Sequence, residues 1–312
     1  MTAADDPLDG YTLSNAAYPM LKEKHLDMLI LMARFGRVLI GQHIAPVWFD
    51  DILPTAAKYM RHLQKHELVT SAHLYTSTFP ARQLGRFYIL TEKGEQVVRE
   101  CFPNQERERF TTLRKGSITH QAEHQVELMN LVTQLLQELH DIPGIVGING
   151  AVEIRLGPER EPRCDGLIWI RRWKDSTTIT EAPIERPYIP WLFEGERIGQ
   201  TSRWYAIEID RNTEAANIIA AKARAYRAIF DSGWWRGKYQ WPVPLFVVPT
   251  EGRREVVLRE WERGWPGSPI MITTKPQLDA HGIDAPIWVA QHHGERETRQ
   301  FFEAWRDLVV ED

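Results

Sequence analysis

Cysteine is scarce in this sequence, with Cys101 and Cys164 the only two in 312 residues. Two cysteines build no disulfide framework and no CxxC metal pair, which is the usage expected of a reducing cytoplasm. No apolar run approaches the ~18 residues of a membrane span, so no membrane partner is expected. The opening MTAADDPLDG is acidic and polar and does not read as a secretory signal. An excess of positive charge is missing as well. Lys and Arg number 38 against 42 Asp and Glu, a formal net charge of −4. That excludes a wholly basic coat for nucleic acid and leaves room for a local basic patch. Hydrophobic residues at 43% and charged residues at 26% are ordinary for a globular protein, and the length suggests two domains. Tryptophan, by contrast, is plentiful. There are twelve, most of them after residue 165, and they read as core and loop anchors because each buries a large area.

After a flexible N-terminus over residues 1–20, a first domain is expected over 21–101. In LKEKHLDMLILMAR, Leu26, Leu29, Ile30 and Ala33 fall at helical spacing. Residues 42–50 suggest a short second helix, and Pro54 suits the first turn of a third. That third helix turns Ala56, Tyr59, Met60 and Leu63 inward and Lys58, Arg61, His62 and Lys65 largely outward. LVTSAHLYT and RFYILT read as two strands, and EKGEQVVREC as a last helix. Three helices and a hairpin are the order of a winged helix-turn-helix, whose third helix enters a DNA major groove. Arg82 and Arg86 would sit on the wing. Residues 54–90 hold five Lys/Arg and one Asp/Glu, five minus one giving +4, so positive charge is concentrated here while the rest is net negative. Phosphate contacts need that concentration. The same layout also suits a dimerisation or protein-docking module, with double-stranded DNA replaced by another protein or a second copy of the chain.

The polar stretch FPNQERERFTTLRKG makes 102–116 a linker to a second domain over 117–312. Ser117 can cap a long helix reaching about His140, with Ile118, Ala122, Val126, Met129, Val132, Leu136 and Leu139 at helical spacing. Its first turns contain HQAEH, in which His120 and His124 lie four apart on one face. That spacing can bind zinc, as in zinc hydrolases, but three fixed positions match often by chance, and no third ligand is evident locally. Further on, GIVGINGAVEIRLG reads as a strand with turns, and PRCDGLIWIRR and RWYAIEID read as two more strands, separated by an inserted loop over 174–202. A helix over 213–231, the strand VPLFVVPT, the helix GRREVVLREWERGW and the strands SPIMITT and APIWVAQ follow. This is an α/β domain with a mixed sheet.

Neighbouring strands can bring Asp165 and Glu208 together, and two close carboxylates invite a divalent cation. Mg²⁺ or Mn²⁺ suits such oxygen ligands and can activate water for phosphodiester chemistry. Lys222 on the following helix is placed to assist, Asp210 is a further acid at the strand end, and Glu127 or Glu123 offers another carboxylate. A salt-bridged structural corner, with Lys222 paired to Asp210 or Glu214, explains the same residues without chemistry. The acid–acid–lysine pattern resembles the PD-(D/E)xK nuclease fold, so a restriction-endonuclease-like domain is expected. Two departures stand out: Cys164 precedes Asp165 where proline is usual, and Asp210 occupies the usual lysine position. A site of this kind without its lysine in place often survives as a DNA clamp.

The stretches YILTEKG, RCDG and AIEIDRNTEAANIIAAKARAY, with the long helix before them, resemble the replication-relaxation family of MobC-like plasmid proteins, from about Leu21 to about residue 265. The 174–202 insertion is longer than expected for that family. The resemblance implies a DNA-binding protein of a mobile element, acting in plasmid mobilisation or in replication and relaxation, with a relaxase, a replication protein or another protein as partner. Exposed tryptophans such as the Trp234–Trp235 pair suit a protein platform, or equally core filler.

Overall fold

The computed structural model describes residues 18–36, 38–75, 83–101, 122–138, 142, 145–157, 162–173, 200–212, 214–236, 241–292 and 295–301. The chain divides into two compact units, Met1–Thr119 with Trp191–Glu194 and His120–Pro190 with Gly195–Asp312. Among the described residues no helix is long and apolar enough to cross a membrane.

In the first unit, α1 (Glu23–Phe35) is followed by β1 (Val38–Leu39), a π-helical turn (Ile40–Ile44), α2 (Ala45–Trp48) and α3 (Leu53–Lys65). Strands β2 (Val69–Tyr75) and β3 (Gln83–Leu90) form an antiparallel hairpin, and α4 (Glu92–Cys101) closes the unit. Strand β1 pairs with β3, giving the order β1-β3-β2. The apolar residues at helical spacing in α1 are all buried, which is the reason a helix forms there. In α3, Pro54 lies in the first turn, and Ala56, Met60 and Leu63 face the core. The single helix expected over residues 42–50 is instead a π-helical turn that passes into the four-residue α2. It stops where Asp50 and Asp51 take the left-handed conformation at φ 48° and 62°, which no continuing helix permits.

The second unit starts with α5 (Ala122–Glu138) and an antiparallel meander, β4 (Ile145–Arg155), β5 (Arg163–Trp173) and β6 (Gln200–Ile209). Then come α6 (Ala216–Ser232), β7 (Val243–Val248), α7 (Glu251–Gly264), β8 (Ile270–Thr274), α8 (Lys275–His281), β9 (Trp288–His292) and β10 (Glu295–Arg299). The strands make one mixed sheet in the order β10-β9-β8-β7-β6-β5-β4. Strands β6, β7 and β8 run parallel and the outer pairs antiparallel. All six residues of β7 are buried, as expected for a strand covered on both faces. Helix α6 buries Ile219, Ala220, Ala223, Tyr226 and Ile229, and Gly233 ends it at φ 65°. Thr250 starts α7 by accepting a hydrogen bond from the Arg253 N–H at 3.2 Å. Gly264 lets α7 press on α6, because a Cβ there would lie 2.4 Å from the Ala220 carbonyl oxygen.

The tryptophans here are mainly core filler. Trp235, Trp241, Trp261 and Trp265 are buried in one cluster with Tyr226, and Phe230 packs against it. Trp234 is half-buried. Three elements go beyond what the sequence suggested, the two-residue β1, α8 and the edge strand β10. Strand β10 reads ERETR and is largely exposed, so it carries no hydrophobic signal; charge on an edge discourages pairing with other chains.

Candidate functional site

Strand β6 delivers Glu208 to the end of the sheet, where only 1% of the residue is exposed. A carboxylate so deeply buried needs partners, and α6 supplies two. Lys222 Nζ donates to Glu208 Oε2 at 2.9 Å, and the Tyr226 hydroxyl donates to Oε1 at 2.7 Å. Lys222 and Tyr226 are four residues apart on one helix face, so both reach the same carboxylate. Lys222 also donates to Glu214 at 3.3 Å. Beside this group, Asp165 on β5 accepts from the Ile209 N–H at 2.8 Å, and its other oxygen lies 2.9 Å from His124 Nε2 of α5.

The electrostatics follow from that geometry. Burial is the main reason the Glu208 carboxyl is pushed up to about 7, and the charge of Asp165 adds to it; Lys222 and the Tyr226 hydroxyl oppose the shift. Burial alone would lower the Lys222 ammonium, yet the Glu208 and Glu214 carboxylates outweigh it and hold its pKa above the ordinary lysine value. Burial also acts to lower His124, but the hydrogen bond and charge of Asp165, with Glu127 and Glu208 behind, raise it overall. The Tyr226 phenol is raised well above its usual value by burial first and by Glu208 second. At neutral pH the corner therefore holds a charged lysine and a carboxyl poised between its two forms, beside a histidine whose protonated form Asp165 favours.

Of the residues singled out in the sequence, Asp165, Glu208 and Lys222 meet here. Asp210 does not join them. Its Oδ2 accepts from Arg253 Nε at 2.6 Å, and Arg253 donates on to the Glu214 carbonyl at 2.9 Å, so Asp210 braces α7 and the turn before α6. Glu127 lies 3.4 Å from Arg211. His124 pairs with Asp165, while His120 and the Glu123 side chain lie outside the described residues. Among the described residues no group of three or more His, Cys, Asp or Glu side chains is arranged to hold a metal ion. Tyr226 escaped the sequence reading, although its place four residues after Lys222 was a usable signal.

In the first unit Lys58, Arg61 and Lys65 are exposed on α3, and Arg86 is exposed on β3. Arg82 lies outside the described residues. His62 belongs to a column of rings: its centroid is 4.7 Å from that of the buried His25 and 4.6 Å from that of His66. Its Nε2 is 3.0 Å from the Met20 carbonyl oxygen.

Fold and site define a class first: an α/β protein of two units, the larger of which carries a buried acid held by lysine and tyrosine where a meander passes into parallel strands. The chain belongs to the replication-relaxation family, whose profile matches residues 34–242. The match begins within α1 and takes in the basic helix α3, Asp165, Glu208 and Lys222. It is shorter than the 21–265 expected, leaving out most of α1 at one end and β7 and everything after it at the other. No curated protein and no solved structure matches the chain.

Proposed function

We propose that this protein binds duplex DNA in the replication or mobilisation of a mobile element. Helix α3 of the first unit enters the major groove, and the second unit is a nuclease-like domain that grips neighbouring DNA. One observation carries the reading: Lys58, Arg61 and Lys65 stand exposed along one helix, ahead of a hairpin that bears Arg86. The helix–strand–helix–helix–hairpin order of that unit is the order of a winged helix-turn-helix, and membership of the replication-relaxation family agrees with it. Lys58→Ala and Arg61→Ala should weaken binding to all sequences and make its salt dependence shallower. Gel shifts over a salt series measure both; unchanged affinity and slope would sink the proposal.

A second reading has its own support. The α-β-β-β-α-β run from α5 to β7 and the 2.9 Å contact of Lys222 with Glu208 beside Asp165 suit a metal-dependent endonuclease or nickase of the PD-(D/E)xK kind. The donor chemistry fits Mg²⁺ or Mn²⁺, since two carboxylates suffice for an ion that keeps most of its waters. Asp165 and Glu208 would hold the ion, which would supply an activated water and charge stabilisation at the phosphate. The protein's own part is to hold Glu208 in one orientation through Tyr226 and to keep the Lys222 ammonium beside it. His124 and Lys222 now occupy the oxygens such an ion needs, so both would have to give way. Incubating supercoiled plasmid with the protein and Mg²⁺, Mn²⁺ or EDTA, beside Glu208→Gln, separates the readings. Metal-dependent nicking lost in the variant establishes the nuclease, and a gel shift without cutting leaves a DNA-binding protein on a silent scaffold.

A further inference from the structure

A groove of about 420 Å³ lies at the carboxyl ends of β6 and β7, bordered by α5 and α8. Leu131, Ile209, Val247 and Leu278 make its apolar surfaces, and none of the residues lining it is aromatic. The size is that of a site for one small ligand with a few polar contacts. It is far too small for a duplex. Gln134 lines it too, and the Gln134 amide nitrogen is already committed. Its Nε2 donates to Glu138 at 2.8 Å and to the Leu278 carbonyl at 3.3 Å. What this amide offers a ligand is its Oε1 acceptor, which selects a group that donates. The exocyclic amines of adenine, cytosine and guanine are such donors.

Arg211 and Lys275 also line the groove, each in a pair that a phosphate can compete with. Arg211 is 3.4 Å from Glu127, both side chains being 35% exposed, and Lys275 pairs with Asp279 on the surface. Exposed pairs of this kind contribute under about 1 kcal/mol. The position matters as much as the lining. Ile209, Asp210 and Arg211 follow Glu208 directly in the chain, so at about 3.3 Å per residue the groove begins roughly 3–10 Å beyond Glu208. One strand of stacked DNA covers that distance in one to three nucleotides at about 3.4 Å each.

We propose that this groove receives an unpaired nucleobase of the DNA strand that passes Asp165 and Glu208, with Arg211 and Lys275 on its flanking phosphate. The inference rests on the DNA-binding function proposed above and adds to it a preference for DNA with a displaced base. Taking a base out of the stack requires a cavity that replaces its stacking surface and pairs its polar edge, and the aliphatic surfaces and Gln134 supply those two things.

The test uses the full-length protein and a duplex carrying 2-aminopurine opposite an abasic site, beside the same duplex fully paired. A gel shift reports binding and 2-aminopurine emission reports the base. With no aromatic group in the groove to quench it, the base should brighten several-fold on binding. Gln134→Phe fills the groove and should abolish that rise while both duplexes still shift. Arg211→Gln, an exposed change that leaves packing alone, should weaken binding of the unpaired-base duplex several-fold and that of the paired duplex far less. A complex that forms with unchanged emission overturns the inference and leaves DNA binding standing. So does brightening that survives Gln134→Phe, or an Arg211→Gln effect equal on both duplexes. If neither duplex shifts at any salt concentration, the DNA-binding function fails and takes this inference with it.

Discussion

Replacing Lys222 with methionine probes the charge balance around Glu208 with a sign that can be worked out beforehand. The folded Glu208 carboxyl sits at about 7 against an ordinary 4.5, chiefly because it is buried. Each pH unit between a folded and an unfolded pKa corresponds to about 1.4 kcal/mol of stability. Because the folded value is the higher one, Glu208 imposes no penalty below about pH 4.5. The penalty grows as the pH rises and levels off near pH 7 at about 3 kcal/mol. Methionine keeps most of the lysine stem and removes the ammonium 2.9 Å from Oε2. The carboxyl is then left with Tyr226 and the repelling charge of Asp165, so its folded pKa climbs further. In the variant the penalty should keep growing above pH 7, by about 1.4 kcal/mol per unit. The two proteins should therefore share this group's slope between about pH 5 and 7 and diverge by about 2 kcal/mol by pH 8.5. Urea unfolding followed by tryptophan fluorescence measures this in the right unit, since Trp235, Trp241, Trp261, Trp265 and Trp288 are all buried there. Stability curves that stay parallel from pH 7 to 8.5 would show that Lys222 does not hold the Glu208 charge.

Three other outcomes can be checked in the same way. Tyr226→Phe removes a buried hydrogen bond to Glu208 and should cost about 1–3 kcal/mol, with the loss larger at pH 8 than at pH 5; equal losses would mean that the hydroxyl does not favour the ionised form. Gly264→Ala places a methyl 2.4 Å from the Ala220 carbonyl oxygen and should destabilise by about 1–3 kcal/mol. Because it spreads α6, which carries Lys222 and Tyr226, it should also shift the pH profile of stability, and an unchanged melting temperature would contradict the close approach of the two helices. Burial, helped by His62, Lys22 and His66, lowers the His25 imidazole to about 4, below its unfolded value. Stability of the first unit should fall as pH drops from about 6.5 to about 4, and His25→Gln should flatten that fall, as hydrogen exchange of α1 amides would show.

The periodic elements were legible in the sequence because periodicity is local. Helix α3 announces itself through Ala56, Met60 and Leu63 facing one way and Lys58, Arg61 and Lys65 the other, and Pro54 marks its start. The α-β-β-β-α-β order and the mixed sheet follow from alternating apolar runs and turn residues. Strand β10 and the two-residue β1 left no trace, since an exposed edge and a very short strand bury too little to shape a hydrophobic pattern. Which charges meet was a different matter. Asp165, Glu208, Lys222 and Asp210 are all visible as residues. Only the β5–β6 register and the packing of α5, α6 and α7 around the sheet send Lys222 and Tyr226 to Glu208, turn His124 toward Asp165 and assign Asp210 to Arg253, a residue 43 positions away. A buried charge takes the partner that the folded chain leaves within about 3 Å of it, and that choice depends on how distant segments pack. The residue types and the helix periods were set by the sequence alone, and the pairing of the charges by the tertiary fold.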